Sequence, residues 1–145
     1  MKGKVLAVSV SKKKGTAKRP VAAIELIEDM GVKDDAHFGY KPRQVSILPW
    51  EEVEKFNSTH KTQIGFGAFA ENIAIKGIPP EEFKQGTKIK VGTAELTVTQ
   101  IGKVCHSGCN IEKLLGDCIM PKYGIFCKVV KGGMADDGAS IEVEG

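Results

Sequence analysis

Long hydrophobic runs are missing from this 145-residue sequence. Its apolar stretches reach only a few residues, far short of the ~20 that a membrane-spanning helix needs. The opening Met1-Lys2-Gly3-Lys4-Val5-Leu6-Ala7-Val8 meets Lys12 before a leader-type apolar region can form. The expectation is a cytosolic protein. Aromatic residues are scarce at 6%, too few to interleave with basic residues as a platform for single-stranded nucleic acid. No paired C-x-x-C is present, nor a Walker-type loop, a G-x-G-x-x-G ahead of a helix, or a G-x-S-x-G elbow. Common zinc fingers, nucleotide-binding loops and serine-hydrolase elbows are therefore not indicated.

Acidic residues are absent from the first 20 positions, which carry Lys2, Lys4, Lys12, Lys13, Lys14, Lys18 and Arg19. The rest of the chain has 14 basic against 18 acidic side chains, so the formal charge of +3 comes from one end. Such asymmetry suits an anionic partner, although a run like Lys12-Lys13-Lys14-Gly15 is also what a solvated loop tip looks like. Lys12, Lys13, Lys14, Lys18 and Arg19 are expected to attract an anion or partner and to contribute little to the core.

What the chain does have is glycine, 17 residues, spaced closely with proline so that long helices cannot dominate. Short β-branched runs at 5–10, 21–27, 44–48 and 72–75 read as strands. Residues 87–91 and 94–101 alternate with period two around Gly92-Thr93, the pattern of a hairpin. Two final strands are expected at 124–130 and 139–143, joined through Lys131-Gly132-Gly133. A short helix should begin at Pro49 or Trp50, with Val53 and Phe56 on one face and Glu51 and Glu52 in its first turn. Another is expected around 111–115, and a single helical turn within 78–83. Residues 65–69 form a shaped glycine-rich loop, after which Glu71-Asn72 follows where backbone amides can approach an anionic ligand. The fold class is mainly β: an antiparallel β-barrel in one domain, residues 1–145, with a few short helices.

Cysteine is concentrated late, at 105, 109, 118 and 127. In a cytosolic protein this points to metal or thiol chemistry before disulfides, and the thiols should be reduced. Cys105, Cys109 and Cys118 with His106 can fill a tetrahedral zinc site by ligand type, but their spacing is wrong for the usual zinc folds. A softer metal such as molybdenum, or a sulfur atom carried on cysteine, fits the same thiolates. Lys103 and His106 are the nearby positive groups that would favour a thiolate. Cys127, between Phe126 and Val129 in an expected strand, reads as a small buried hydrophobe. A second polar cluster gathers Asp34, Asp35, His37 and Arg43; an arginine fork suits phosphate or carboxylate, but at a strand start it is also an ordinary surface ion-pair partner.

Several ordered blocks together resemble the MOSC family, the domain named from the C-terminus of molybdenum cofactor sulfurases. They are Ser11-Lys12-Lys13-Lys14-Gly15-Thr16 through Val21, Asp35-Ala36-His37 with Arg43-Gln44-Val45-Ser46-Ile47-Leu48, and Gly67-Ala68-Phe69-Ala70-Glu71-Asn72-Ile73. The most specific is Ile101-Gly102-Lys103-Val104-Cys105-His106 with Cys109, continued by Gly116-Asp117-Cys118-Ile119-Met120-Pro121 and Gly124-Ile125-Phe126. The match is closest to the short, stand-alone bacterial type. The resemblance implies a MOSC-type barrel, similar to the barrel of pyruvate kinase, acting on sulfur or on the molybdenum cofactor, molybdopterin. In larger relatives a cysteine of this block ligates molybdenum or is proposed to carry activated sulfur. That role carries over to Cys109 first, which precedes Asn110-Ile111 much as the relatives' cysteine precedes an apolar pair, and to Cys105 second. Cys127-Lys128 stands where the family pattern has Ala-Arg, a departure that retains the basic residue.

His37, Arg43, Asn72, Lys103 and Cys118 are then the expected cofactor-binding residues, with Cys109 and Cys105 as molybdenum ligand or persulfide carrier. The cysteine segment should form one wall of a pocket whose other wall carries His37, Arg43 and Asn72. The implied activity is sulfur transfer or a molybdenum-cofactor-dependent reaction; the alternative is a module that delivers cofactor or docks on a partner without turnover of its own. The implied partners are the pterin cofactor, a sulfur-donor protein, molybdenum-cofactor biosynthesis enzymes or molybdoenzymes, and not a membrane or nucleic acid.

Overall fold

A computed structural model describes residues 1–14, 16–40, 43–102 and 123–144. The helix expected near 111–115 falls outside these residues.

Most strands follow from alternation. In β7 (Lys88–Val91) and β8 (Ala94–Ile101), Ile89, Val91, Leu96 and Val98 turn inward while Lys88 and Lys90 face solvent, the pattern of a sheet wetted on one side. β1 (Lys2–Val10) and β11 (Ser140–Val143) pair antiparallel, Lys2 opposite Glu142, and this pairing closes the sheet. Seven strands then run round in the order β1, β11, β7, β8, β9 (Ile125–Lys131), β5 (Val45–Pro49) and β6 (Ile73–Lys76), back to β1. Closure removes the open edges that would otherwise invite further pairing. Every pairing is antiparallel except β5 with β6, where α1 (Trp50–His60) forms the crossover. The antiparallel barrel read from the sequence is thus a closed barrel with one parallel seam.

β5 is buried along its whole length because it is covered on both faces. Val45 and Ile47 enter the barrel core, whereas Leu48 joins Val53, Phe56, Phe69 and Phe126 in a second cluster under α1. Burying side chains of this size stabilises by roughly 1.5–3 kcal/mol each. The helix ends at Lys61, which takes a left-handed conformation (φ 54°) and returns its N–H to the Asn57 carbonyl. A single turn of 3-10 helix covers Pro80–Glu82.

The expected strand at 21–27 is two strands. β2 (Arg19–Val21) pairs with β1, while β3 (Ala23–Ile27) turns away to a separate three-stranded sheet with β4 (Gly31–Val32) and β10 (Gly133–Asp136). β10 occupies the segment read as a mere connection after Lys131; its partner, β3, lies more than 100 residues earlier, so local pattern carries no sign of it. Among the described residues no helix is long and apolar enough to cross a membrane.

Candidate functional site

Three segments converge beside β5: the basic loop that follows β1, the turn that follows β4, and the glycine-rich loop that precedes β6. Lys18 is the point at which the first two meet. Its ammonium bonds Asp35 Oδ1 at 2.8 Å, with both side chains almost wholly buried. It also donates to Ser11 Oγ at 3.1 Å and lies 3.4 Å from His37 Nδ1. Asp35 collects more donors, the Ser11 N–H on Oδ1 at 3.0 Å and the His37 N–H on Oδ2 at 3.1 Å. Burial alone would raise its pKa, but the bonds to His37, Lys18 and Ser11 and the Lys18 charge outweigh that and hold it well below the usual carboxylate range. The expectation that Lys18 belongs with the surface cations is therefore corrected. It is buried because Asp35 supplies a counter-charge that Lys12, Lys13 and Lys14 lack among the described residues, and those three are exposed as expected.

The glycine-rich loop is organised from inside. Glu71, fully buried, accepts the Gly67 N–H at 2.8 Å and the Phe69 N–H at 3.2 Å. The Ala68 and Ala70 N–H groups go to the carbonyls of Gly65 and Gly67. The reading that this loop offers amides to an anionic ligand is corrected for these four, since its own carboxylate and carbonyls already take them. Gly67 has φ +85°, and a Cβ there would strike the Lys18 carbonyl; only glycine lets the loop lie against the Lys18 segment. Burial pushes Glu71 up to about 7, against the lowering pull of the amide bonds and of Lys18.

Between these walls lies a narrow cleft of about 10 Å³, room for roughly one water, lined by His37, Arg43, Ser46, Ala70, Asn72 and Phe126. Three of the residues singled out from sequence, His37, Arg43 and Asn72, are thus brought together. Asn72 is a brace: its Nδ2 donates to the Ser9 carbonyl, and its Oδ1 accepts from the Ser46 N–H. It ties β1 to β5 across the cleft floor. Arg43 differs. Its guanidinium donates to the Tyr40 hydroxyl at 2.9 Å and stacks near the Tyr40 and Phe126 rings, and among the described residues it meets no carboxylate. The surface ion pair that was the ordinary alternative for Arg43 is not found there. Lys14 lies 4.0 Å from the other partner of this group, the Tyr40 ring, so the basic loop reaches the cleft rim. Tyr40, Ser46 and Phe126 were not singled out from sequence; Tyr40 stands three residues before Arg43, but nothing in that spacing marks a ligand site. A second, more open groove of about 470 Å³ runs through Val10, Ser11, Lys12, Lys13, Thr16, Ala17, Lys18 and Arg19.

Cys127 is fully buried in β9, the small buried hydrophobe expected from its strand, and burial pushes its thiol far above the ordinary range, which disfavours the reactive thiolate. Cys105, Cys109, Cys118, Lys103 and His106 lie outside the described residues, as does their distance to Arg43. Among the described residues no group of three His, Cys, Asp or Glu side chains is placed to hold a metal ion. What the cleft provides is an arginine fork with donors to give, an imidazole opposite, and an aromatic floor, a set that suits an anionic group.

The family model described as MOSC domain matches residues 33–142. No curated protein matches the sequence. Among solved structures, the YuaD protein from Bacillus subtilis is similar at 20% identity with a TM-score of 0.81, over 99% of this chain and 96% of that one. YiiM from Geobacillus stearothermophilus is 22% identical with a TM-score of 0.78, over 99% of this chain and 75% of its own. YiiM from Escherichia coli is 21% identical with a TM-score of 0.71, over 100% and 70%. These likenesses show a shared fold.

Proposed function

This chain belongs to the MOSC domain family, and from that premise we propose that it binds the molybdenum cofactor, with an anionic part of the pterin in the Arg43 cleft. Cys109 or Cys105 is the thiol that ligates molybdenum or carries persulfide, and Lys103 and Cys118 complete the site. The observation that carries this reading is Arg43, whose donors face a cleft with no carboxylate among the described residues to meet them. Family membership adds the association with molybdenum-cofactor proteins. His37 is the second donor on the cleft wall, and Asn72 holds that wall in place. Exposed Lys12, Lys13 and Arg19 draw the anion in from solution. When bound, the cofactor supplies a soft metal centre able to exchange sulfur or oxygen ligands with a thiolate. The pairing of β1 with β11 supports residues 1–145 acting as one domain, because both ends of the chain are needed to close the barrel. The setting is the cytosol, with a sulfur donor, molybdenum-cofactor biosynthesis enzymes or molybdoenzymes as partners.

The test is metal and pterin analysis of protein purified from a molybdate-fed host. Wild type should retain molybdenum, Arg43→Ala should retain at most about a tenth as much, and Cys109→Ser or Cys105→Ser should lose it while staying folded. Cys127→Ala should keep it. Full retention in Arg43→Ala and in both loop-cysteine variants would overturn the reading. The exposed basic groove at 10–19 favours a second reading, a delivery module that docks on an acidic partner. Turnover with a sulfur donor would exclude that one.

A further inference from the structure

Lys18, Asp35 and His37 form a buried array that the anion-site reading does not by itself require. We propose that Lys18 and Asp35 are a positioning pair that fixes His37 as an Nε2–H donor in the Arg43 cleft, so that arginine and imidazole hold the anion together. This rests on the cleft taking an anion.

Donors and acceptors match around the Lys18 ammonium. An ammonium has three N–H donors and no acceptor. Lys18 faces three acceptors: Asp35 Oδ1 at 2.8 Å, Ser11 Oγ at 3.1 Å and His37 Nδ1 at 3.4 Å. The third is an acceptor only while Nδ1 carries a lone pair. Were the neutral imidazole protonated there, two donors would oppose each other and one ammonium hydrogen would be buried without a partner, which buried polar groups avoid. The neutral ring therefore carries its hydrogen on Nε2.

The backbone is held as well. Asp35 Oδ2 accepts the His37 N–H, so the same carboxylate anchors the residue and guides its ring. The Nδ1 edge is turned to the ion pair while the side chain lines the cleft, which leaves Nε2 as the nitrogen available there. Among the described residues, the groups around the ring are Lys18 and Asp35 behind it, the Tyr40 ring at 6.0 Å in an edge-on arrangement, and Arg43 on the cleft. Sequence alone does not reveal this, because the three residues come from two loops 17 positions apart.

NMR of the imidazole nitrogens in ligand-free wild type, at a pH high enough that their shifts no longer change, tests the proposal without any variant. His37 should show the Nε2–H tautomer. Inorganic phosphate, used as the probe, should then shift Nε2 more than Nδ1, and Arg43→Ala should remove that response. Lys18→Met combined with Asp35→Leu removes both charges at once and leaves no buried charge unpaired; it should give a tautomer mixture and weaken phosphate binding about tenfold. An Nδ1–H tautomer in the wild type overturns the proposal, as does a double variant with unchanged tautomer and unchanged phosphate affinity. An Nε2–H tautomer with no phosphate response in the wild type overturns the anion-site reading, and the donor role with it.

Discussion

The two walls of the cleft each bury a carboxylate, and they treat its charge in opposite ways. Asp35 touches an ammonium and stays ionised far into acid. Glu71 is held by two backbone N–H groups and feels Lys18 only at a distance, and burial pushes it up to about 7. Backbone dipoles orient a buried carboxylate but do not replace a counter-charge in contact with it. The difference between the two walls depends on Lys18. Lys18→Met leaves Asp35 as a buried charge without its partner, and unfolding in urea at neutral pH should show a loss of about 3–5 kcal/mol. Adding Asp35→Leu should recover much of it. A loss under about 1 kcal/mol for the single variant would mean that water or another cation reaches Asp35, and the contrast between the walls would disappear.

The two carboxylates also answer pH with opposite sign. The folded pKa of Glu71, about 7, lies above the ordinary 4.5, so its contribution to stability is fully present below about pH 4.5 and is lost as pH rises through 7. Asp35 has the opposite sign: its contribution is present above the ordinary 3.8 and is lost only as pH falls well below that. Between pH 5 and 7 the Asp35 wall is flat and the Glu71 wall weakens, by on the order of 2–3 kcal/mol. Glu71→Gln cannot titrate. Its amide N–H would also face one of the two backbone donors, so the variant should begin less stable by about 1–3 kcal/mol. The readout is the slope: chemical denaturation at several pH values should show the decline in wild type and a flatter profile in Glu71→Gln. Equal slopes would assign Glu71 an ordinary ionisation.

The barrel was legible because its strands carry their own pattern. Ile89, Val91, Leu96 and Val98 alternate with charged or hydroxyl-bearing neighbours, and the hairpin they form is where the sequence places it. Trp50, Val53 and Phe56 likewise announce the helix. β4 and β10 were not legible, since two- and four-residue strands flanked by glycine owe their existence to β3, which only tertiary pairing supplies. The same divide runs through the site. His37 and Arg43 could be found as a histidine near acids and an arginine before a buried strand. Lys18 could not be told from Lys14, four positions earlier in the same basic stretch, because what separates them is Asp35, contributed by another loop. Glu71 was noticed for the amides near it, and the structure shows that those amides serve Glu71 itself.

The smallest effect is expected where charge is densest. Lys12, Lys13 and Lys14 lie within seven residues of Lys18 yet stand in solvent, and among the described residues the one side-chain contact of these three ammonium groups is that of Lys14 over the Tyr40 ring. An exposed cation–π contact is worth about 0.5–1 kcal/mol, and surface charges away from packed features usually alter stability by at most about 0.5 kcal/mol. Replacing all three with Ser should therefore lower the melting temperature by only about 2–4 °C in a domain of this size, with Lys14→Ser supplying most of the change. Phosphate binding should weaken at low salt and recover toward wild type as added salt screens the missing charges. Long-range attraction fades over about 10 Å at 0.1 M ionic strength, whereas a contact such as Arg43 with a bound anion persists. Arg43→Ala should accordingly weaken phosphate binding at low and high salt alike. If the triple variant unfolds as readily as Lys18→Met, the loop is packed onto the barrel through these lysines, and the division between a buried structural cation and exposed attracting ones fails.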